Sequence, residues 1–322
     1  MSRRPHVYSR ILGTGSYLPT HIVTNDDLAQ RINTSDEWIS TRTGIKQRHI
    51  ASTGENTAIM ATRAAQKALQ SACIVANSLD LIIVATCSPD NNFPSVACEL
   101  QHNLQITNQC PAFDIAAACS GFIYALSVAN QFIQMGTAKT VLVVGSEVLS
   151  RLLDWNDRTT CVLFGDGAGA VILQASDEPG IYASHLYADG QYGDLLFSRH
   201  LATKAENGCI AMQGNAVFKL AVTHLTKAIT TTLMAHAITA DQIDWFIPHQ
   251  ANLRIIQAIA ERAQLPQNKV IITLDKQANT SAASIPLALD TAIIEGKVKS
   301  GDMLLLEAFG GGLTWSSMLI RY

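Results

Sequence analysis

Two trains of short, almost wholly apolar runs, separated by stretches of helical period, constrain this chain more than any other feature. Leu81-Ile82-Ile83-Val84-Ala85, Phe113-Asp114-Ile115, Val141-Leu142-Val143-Val144-Gly145 and Ala170-Val171-Ile172-Leu173 form the first train. A strand without polar alternation has a core on both faces, so these runs predict a sheet covered by helices on each side. Between them lie an alanine-rich helical stretch at 57–73 and a second one with Phe122, Ile123, Leu126, Ala129, Phe132 and Ile133 on one face. The later train has the same order: a helix at 214–235, the strand Trp245-Phe246-Ile247, a helix at 251–262, the strand Val270-Ile271-Ile272, a helix at 281–295, then the strands Met303–Leu306 and Ser316–Ile320. Leu81 and Val141 stand about 60 residues apart, as do Asp244 and Met303, which is the spacing of an internal duplication. The chain reads as α/β, in two halves, 1–174 and 175–322.

Its 322 residues are more than a usual single domain needs, and 48% hydrophobic against 15% charged residues implies a large core. A net charge of −3 gives no electrostatic footprint for nucleic acid. The seven cysteines, at 73, 87, 98, 110, 119, 161 and 209, are scattered and form no C-x-x-C pair. Neither a disulfide framework nor a metal site is expected, and a reducing compartment fits best. The opening Met1–His6 is basic but leads into a polar stretch and a strand-like Ile11-Leu12-Gly13, and no apolar run approaches membrane-spanning length. The expectation is a soluble cytoplasmic protein with no membrane partner.

Two glycine-rich segments imitate nucleotide loops. Gly13-Thr14-Gly15 runs into Ser16-Tyr17-Leu18-Pro19, and Phe164-Gly165-Asp166-Gly167-Ala168-Gly169 runs into a strand, so neither has the helix N-terminus that holds a phosphate. Both read as tight turns. Thr34-Ser35-Asp36-Glu37-Trp38-Ile39 opens a short helix that carries Trp38 and Arg42 on one side. Such a pair suits a flat base and a phosphate if exposed, and plain packing if not.

Three polar residues fall at equivalent places in the two trains. Cys119 follows the second strand of the first half, His249 follows Trp245-Phe246-Ile247-Pro248, and Asn279 follows Val270–Leu274. Each lies at a strand's carboxyl end just ahead of a helix, the edge of an α/β sheet where ligands bind. A helix start favours a thiolate, and small Ala117, Ala118 and Gly121 leave room for a substrate carbon, so Cys119 is a candidate nucleophile. Taken alone, a cysteine in so apolar a context reads as a buried core thiol, and it is the polar residues later in the chain that favour the nucleophile. His249 can donate or accept a proton, and Asn279 offers a donor that stays neutral at every pH. After the strand Met303–Leu306, Gly310-Gly311-Gly312 leaves backbone N–H groups uncovered, for an oxyanion or for a simple turn.

Six ordered segments, Thr34–Ile39, Ala116-Ala117-Ala118-Cys119-Ser120-Gly121-Phe122, Phe164–Gly169, Pro248-His249-Gln250-Ala251-Asn252, Asn279-Thr280-Ser281-Ala282-Ala283-Ser284 and Phe309–Gly312, resemble the β-ketoacyl-(acyl carrier protein) synthase III family over essentially the whole chain. The resemblance implies a thiolase-like fold of two duplicated halves in five α-β-α-β-α layers, working as a homodimer. It implies a decarboxylative condensation of an acyl-coenzyme A primer with malonyl-(acyl carrier protein), with no cofactor beyond these substrates. By the same resemblance Cys119 carries the acyl group, the N–H groups of Cys119 and Gly311 hold its oxyanion, and His249 and Asn279 stabilise the enolate. Trp38 and Arg158 would sandwich the adenine, with Thr34, Arg42, Gly214, Phe218 and Asn252 along the coenzyme A tunnel. Lys219 and Arg254 would meet the acidic carrier protein, and Phe93 would cap the partner's acyl pocket unless it is an ordinary buried loop aromatic. One residue departs from the pattern: alanine at 278 stands where the family has glycine, so either that position has ordinary φ or the loop has shifted. Competing readings are a thiolase-fold transferase with another acceptor, a Cys-His-Asn hydrolase in which the asparagine orients the histidine, and a non-catalytic carrier-protein-binding module.

Overall fold

The computed structural model describes residues 7–199 and 208–322, so the basic Met1–His6 lies outside the described residues. Leu81–Ala85 pairs in parallel with Ala112–Ile115 on one side and Thr140–Val148 on the other. Asp166–Ser176 joins Thr140–Val148 antiparallel, and Tyr8–Tyr17 closes that edge, again antiparallel. In the second sheet Trp245–Pro248 lies parallel to Met303–Gly310, which pairs antiparallel with Thr314–Arg321, which in turn pairs antiparallel with Ile181–Ala188. Strand for strand, the two sheets share order and sense.

The strand expected at Val270–Ile272 is the exception. Only an isolated parallel bridge, Phe246 to Val270, forms there. It occupies the place that Ala112–Ile115 fills in the first sheet, but Thr273 breaks from extended geometry and a short helix, Leu274–Gln277, begins at once. Ile181–Ala188 escapes the sequence pattern because only one of its eight residues is fully buried, and Tyr182, Ser184, His185 and Tyr187 dilute its apolar character.

Five layers follow from where the apolar faces go. Helices Gly121–Gln134 and Ser284–Ile294 lie between the sheets, packing Phe122, Leu126, Ile285 and Leu289 against Ile83 and Val143 of one sheet and Leu304 and Leu306 of the other. The opposite face of the first sheet (Ile82, Val84, Leu142, Ile172) is covered by helices Thr57–Ser71 and Val96–Asn103. That of the second (Phe246, Leu305, Leu319) is covered by Gly214–Ala235 and Leu253–Arg262. The central strands Leu81–Ala85, Thr140–Val148 and Met303–Gly310 are therefore dry on both faces, as their unbroken apolar runs require.

Two close approaches bring the halves together at one edge. A Cβ on Gly145 would stand 2.2 Å from the Ala282 carbonyl oxygen, and one on Gly310 would stand 2.7 Å from the Cys119 backbone nitrogen. Glycine at both positions lets the turn Ser281–Ala283 and the end of Met303–Gly310 close over the start of the Gly121–Gln134 helix.

Candidate active site

Cys119 sits in a single 3₁₀ turn, Ala118–Ser120, between the strand Ala112–Ile115 and the helix Gly121–Gln134. The second half locks this turn: Thr314 Oγ1 donates to the Ala117 carbonyl at 3.0 Å and Ser120 Oγ donates to the Thr314 carbonyl at 3.1 Å. The thiol is buried, and burial pushes it up to about 12, with the Glu147 carboxyl adding to the rise and Ser281 opposing it. This corrects the expectation of a resting thiolate. A helix terminus contributes about 0.3–1 kcal/mol, less than one pK unit, and desolvation of the anion outweighs it.

His249 follows Trp245–Pro248, and its N–H donates to the Glu307 carbonyl at 2.7 Å, so the neighbouring strand fixes its backbone. Its Nδ1 is buried without a partner, and burial lowers the imidazole to about 3. It is neutral throughout the physiological range. Asn279 is clamped between Leu163 and Gly165: its N–H donates to the Leu163 carbonyl at 3.0 Å and its carbonyl accepts from Gly165 N–H at 2.9 Å. Its side-chain Oδ1 accepts from the Ser281 N–H at 2.9 Å. That bond commits the oxygen end of the amide and leaves the Nδ2 end as the donor for the cavity that Asn279 lines. In a Cys-His-Asn hydrolase the asparagine oxygen would hold the imidazole. Here it is held by Ser281, and His249 Nδ1 has no partner, so the hydrolase geometry is absent from this site.

Three non-glycine residues with left-handed φ surround these groups: Ala118 at +45°, Ala278 at +57° and Ser281 at +48°. Ala278 thus lacks the ordinary φ allowed for above. With ψ of −164° it occupies a region that is essentially glycine's, at a cost of about 1–3 kcal/mol. Ala278→Gly is expected to remove that strain and, after the larger entropy of an unfolded glycine, to gain about 1 kcal/mol. Thermal unfolding should rise by about 1–3 °C with condensation unchanged; an unaltered or lower midpoint would show that the backbone is unstrained.

Two cavities meet at Cys119. The first, of about 480 Å3, runs from Cys119, His249 and Asn279 out past Phe218, Gly214 and Asn252 to Trp38, Arg42, Arg158 and Arg254. The second, of about 760 Å3, continues on the far side, lined by Cys87, Leu149, Leu152, Phe164, Leu196, Ser281 and Gly311. At the outer mouth, the Arg42 and Arg158 guanidinium carbons lie 4.6 and 5.0 Å from the Trp38 ring centroid. That spacing leaves no room for a flat base between the indole and either guanidinium. Asn252 does structural work as well, capping Leu253–Arg262 and donating to the Arg42 carbonyl at 3.0 Å. Thr34 does not line either cavity. It stands beside Asn33, whose carbonyl accepts from Arg158 Nη1 at 2.9 Å. Lys219 is exposed next to the lining residue Phe218, and Arg254 is exposed at the mouth. Phe93 is 86% exposed, which overturns its reading as a buried loop aromatic.

Sequence reading passed over a fully buried carboxyl group, Glu147, together with Cys87, whose backbone N–H and thiol both donate to it. The signal was present: Glu147 is the single charge in the otherwise apolar and small-residue strand Thr140–Val148. Glu307, buried in the first cavity's lining, was passed over likewise.

Two like-built sheets around a pair of central helices, with a cysteine presented by one half and a neutral histidine and asparagine by the other, define a thiolase-fold condensing enzyme. Comparison narrows the class. Residues 113–190 match the family 3-oxoacyl-[acyl-carrier-protein] synthase III, and residues 233–322 match its C-terminal counterpart. The β-ketoacyl-[acyl-carrier-protein] synthase III of Methylococcus capsulatus is 54% identical over 98% of this chain and 99% of its own, and that of Xanthomonas campestris is 53% identical over both full lengths. The solved 3-oxoacyl-[acyl-carrier-protein] synthase III of Aquifex aeolicus superposes with a TM-score of 0.94 at 50% identity, covering 98% of this chain and 100% of that one. The priming β-ketosynthase of the R1128 polyketide pathway gives 0.95 at 34% identity, over 99% and 98%. The chain belongs to the β-ketoacyl-[acyl-carrier-protein] synthase III family, and is an acyltransferase of the condensing type that initiates fatty acid synthesis. Among the described residues, no helix is long and apolar enough to cross a membrane.

Proposed function

We propose that Cys119 takes an acyl group, acetyl first among candidates, from acyl-coenzyme A, and that malonyl-(acyl carrier protein) then discharges it as a 3-ketoacyl thioester with loss of carbon dioxide. The observation that carries this reading is the position of Cys119, shared by both cavities, while His249 and Asn279 line only the one that opens past Trp38. A thioester entering from that mouth puts its acyl chain into the second cavity and its carrier in the first. The N–H groups of Cys119 and Gly311, brought together by the approach of Gly310, hold the tetrahedral oxyanion. His249 and the Asn279 Nδ2 then donate to the malonyl thioester oxygen, and the enolate formed as carbon dioxide leaves attacks the acyl-Cys119 carbonyl.

Neutral donors suit that step, because a developing enolate needs fixed dipoles that give no proton away. Arg42, Arg158 and Trp38 receive the nucleotide end of coenzyme A. Lys219 and Arg254 receive the acidic carrier, in contacts that salt weakens. The chemistry calls for no cofactor or metal. We place the enzyme in the cytoplasm as a homodimer, with the exposed Phe93 reaching the partner's second cavity. With acetyl-coenzyme A and malonyl-(acyl carrier protein) supplied together, one carbon dioxide per acetoacetyl-(acyl carrier protein) is expected. Loading of Cys119 without discharge onto the malonyl thioester would replace this reading with a transferase that uses another acceptor.

A further inference from the structure

Among the described residues, the largest side chain wholly withdrawn from solvent is an arginine, Arg48, on the short strand Gln47–Ile50. It lines neither cavity. No carboxylate stands within ion-pair distance of it among the described residues, and burial lowers its guanidinium to about 10, which leaves it charged at neutral pH. A buried cation without an acid is costly to keep, so its hydrogen bonds matter. Arg48 Nη1 donates to the Val23 carbonyl at 3.2 Å and Nη2 donates to the Val162 carbonyl at 2.9 Å.

These two carbonyls belong to opposite walls of the first cavity's mouth. The strand His21–Thr24 runs straight into the helices Asn25–Ala29 and Asp36–Thr43, which carry Trp38 and Arg42, and the chain returns along Gln47–Ile50 to pair Arg48 with Val23. That wall is braced within itself by Asn25, whose Nδ2 donates to the Ile45 carbonyl at 2.7 Å and to Asp36 Oδ1 at 2.8 Å. Val162 belongs to the other wall, a segment that carries Arg158 outward and holds the Asn279 backbone inward through Leu163 and Gly165. Gly165 packs on the same arginine: a Cβ there would stand 3.2 Å from Arg48 Cβ and 3.2 Å from the Gln277 carbonyl oxygen. The first glycine of the stretch Phe164–Gly169 thus lets the clamp on Asn279 settle against Arg48. The walls touch again at the rim, where Arg158 Nη1 donates to the Asn33 carbonyl and its guanidinium lies over the Trp38 ring. The two fastenings differ in kind. The rim contact is exposed and made by side chains that a nucleotide would meet, whereas the base contact is buried and made to backbone.

We propose that Arg48 is a positioning residue that fastens the two walls of this mouth at their base, so that Trp38 and Arg42 on one wall and Arg158 on the other keep one spacing while the rim adjusts to the nucleotide of coenzyme A. Arginine suits the task because its planar fork reaches two carbonyls on separate segments at once. A lysine ammonium in the same place lacks that fork. Arg48 lines neither cavity, so its loss acts on binding of the nucleotide end and leaves the thioester chemistry at Cys119 alone.

The inference rests on coenzyme A entering through that mouth. Loading of Cys119 would be followed in wild type, Arg48→Lys and Arg48→Met, with acetyl-coenzyme A and with acetyl-pantetheine, which has the same thioester and arm but no nucleotide. Both variants are expected to lose about ten-fold in kcat/KM for acetyl-coenzyme A, carried by KM, while acetyl-pantetheine loads as in wild type. A merely structural role lowers the folded fraction and moves both substrates together, so an unchanged ratio between them would overturn the proposal. Hydrogen exchange on wild type decides the matter if neither variant folds. Coenzyme A should alter exchange over residues 31–43 and 154–160 and leave 21–24, 46–50 and 162–166 as they were; a change in those base segments would equally overturn it. If wild type itself loads both thioesters with one kcat/KM, the nucleotide reading of the mouth is what fails, and the role of Arg48 falls with it.

Discussion

Cys119→Ser is expected to end acyl loading, with a loss of more than about 10⁴-fold in the first half-reaction. The substitution changes one atom, and the surrounding turn is held by Thr314 and Ser120 rather than by the thiol, so the fold has no reason to respond. What changes is the nucleophile. A thiol pushed up to about 12 by burial already ionises reluctantly, and a hydroxyl in the same dry site lies further out of reach. The oxyanion donors and both cavities stay in place, so acetyl-coenzyme A should still bind with little change in affinity. Intact-protein mass spectrometry reads the result: wild type gains one acetyl group and the variant none. An acetyl adduct on the variant at a wild-type rate would move the acyl site to another residue.

What the sequence made legible follows from burial. Strands that are dry on both faces, such as Leu81–Ala85 and Thr140–Val148, leave no polar alternation and announce themselves, whereas half-buried Ile181–Ala188 does not. Val270–Ile272 is apolar enough for a strand but is cut short because the chain must turn at Thr273 to bring Asn279 against Leu163–Gly165. Function overrode the pattern there, and Ala278 carries the strain. Cys119 and His249 were readable because each follows a strand's end, whereas Asn279 was found by its expected place after a strand that forms only one bridge; it follows the short helix Leu274–Gln277 instead. Glu147 lies beneath that layer, and its surroundings depend on Thr86, Cys87 and Ser88, just past a neighbouring strand's end, closing over it, information that no local pattern holds. The thiolate expectation failed for a related reason. Helix position is local and readable, while desolvation is a property of the closed site.

The second large effect separates the two half-reactions. His249→Ala and Asn279→Asp are each expected to leave Cys119 acylation within a few-fold of wild type and to lower condensation by about 10²–10³-fold, the usual cost of losing one oxyanion-type donor. Aspartate at 279 keeps the oxygen that accepts from the Ser281 N–H, so the turn should persist, but it replaces the donor to the enolate with a negative charge. The two substitutions together should cost less than the product of their separate effects, because both donors serve one oxygen. The pH profile carries the same logic. His249 titrates near 3 instead of 6.5, so the condensation rate should show no inflection from this residue between pH 5 and 8. For stability, a base whose folded value is depressed is bound by more protons in the unfolded chain, so its cost appears as pH falls below about 6.5 and grows toward 3. Acylation of His249→Ala is the measurement that discriminates. If it collapses along with condensation, the imidazole is the base for Cys119, and the neutral-donor role falls. If acylation stands while malonyl-(acyl carrier protein) is no longer decarboxylated, the thiol loses its proton by a path that does not pass through histidine.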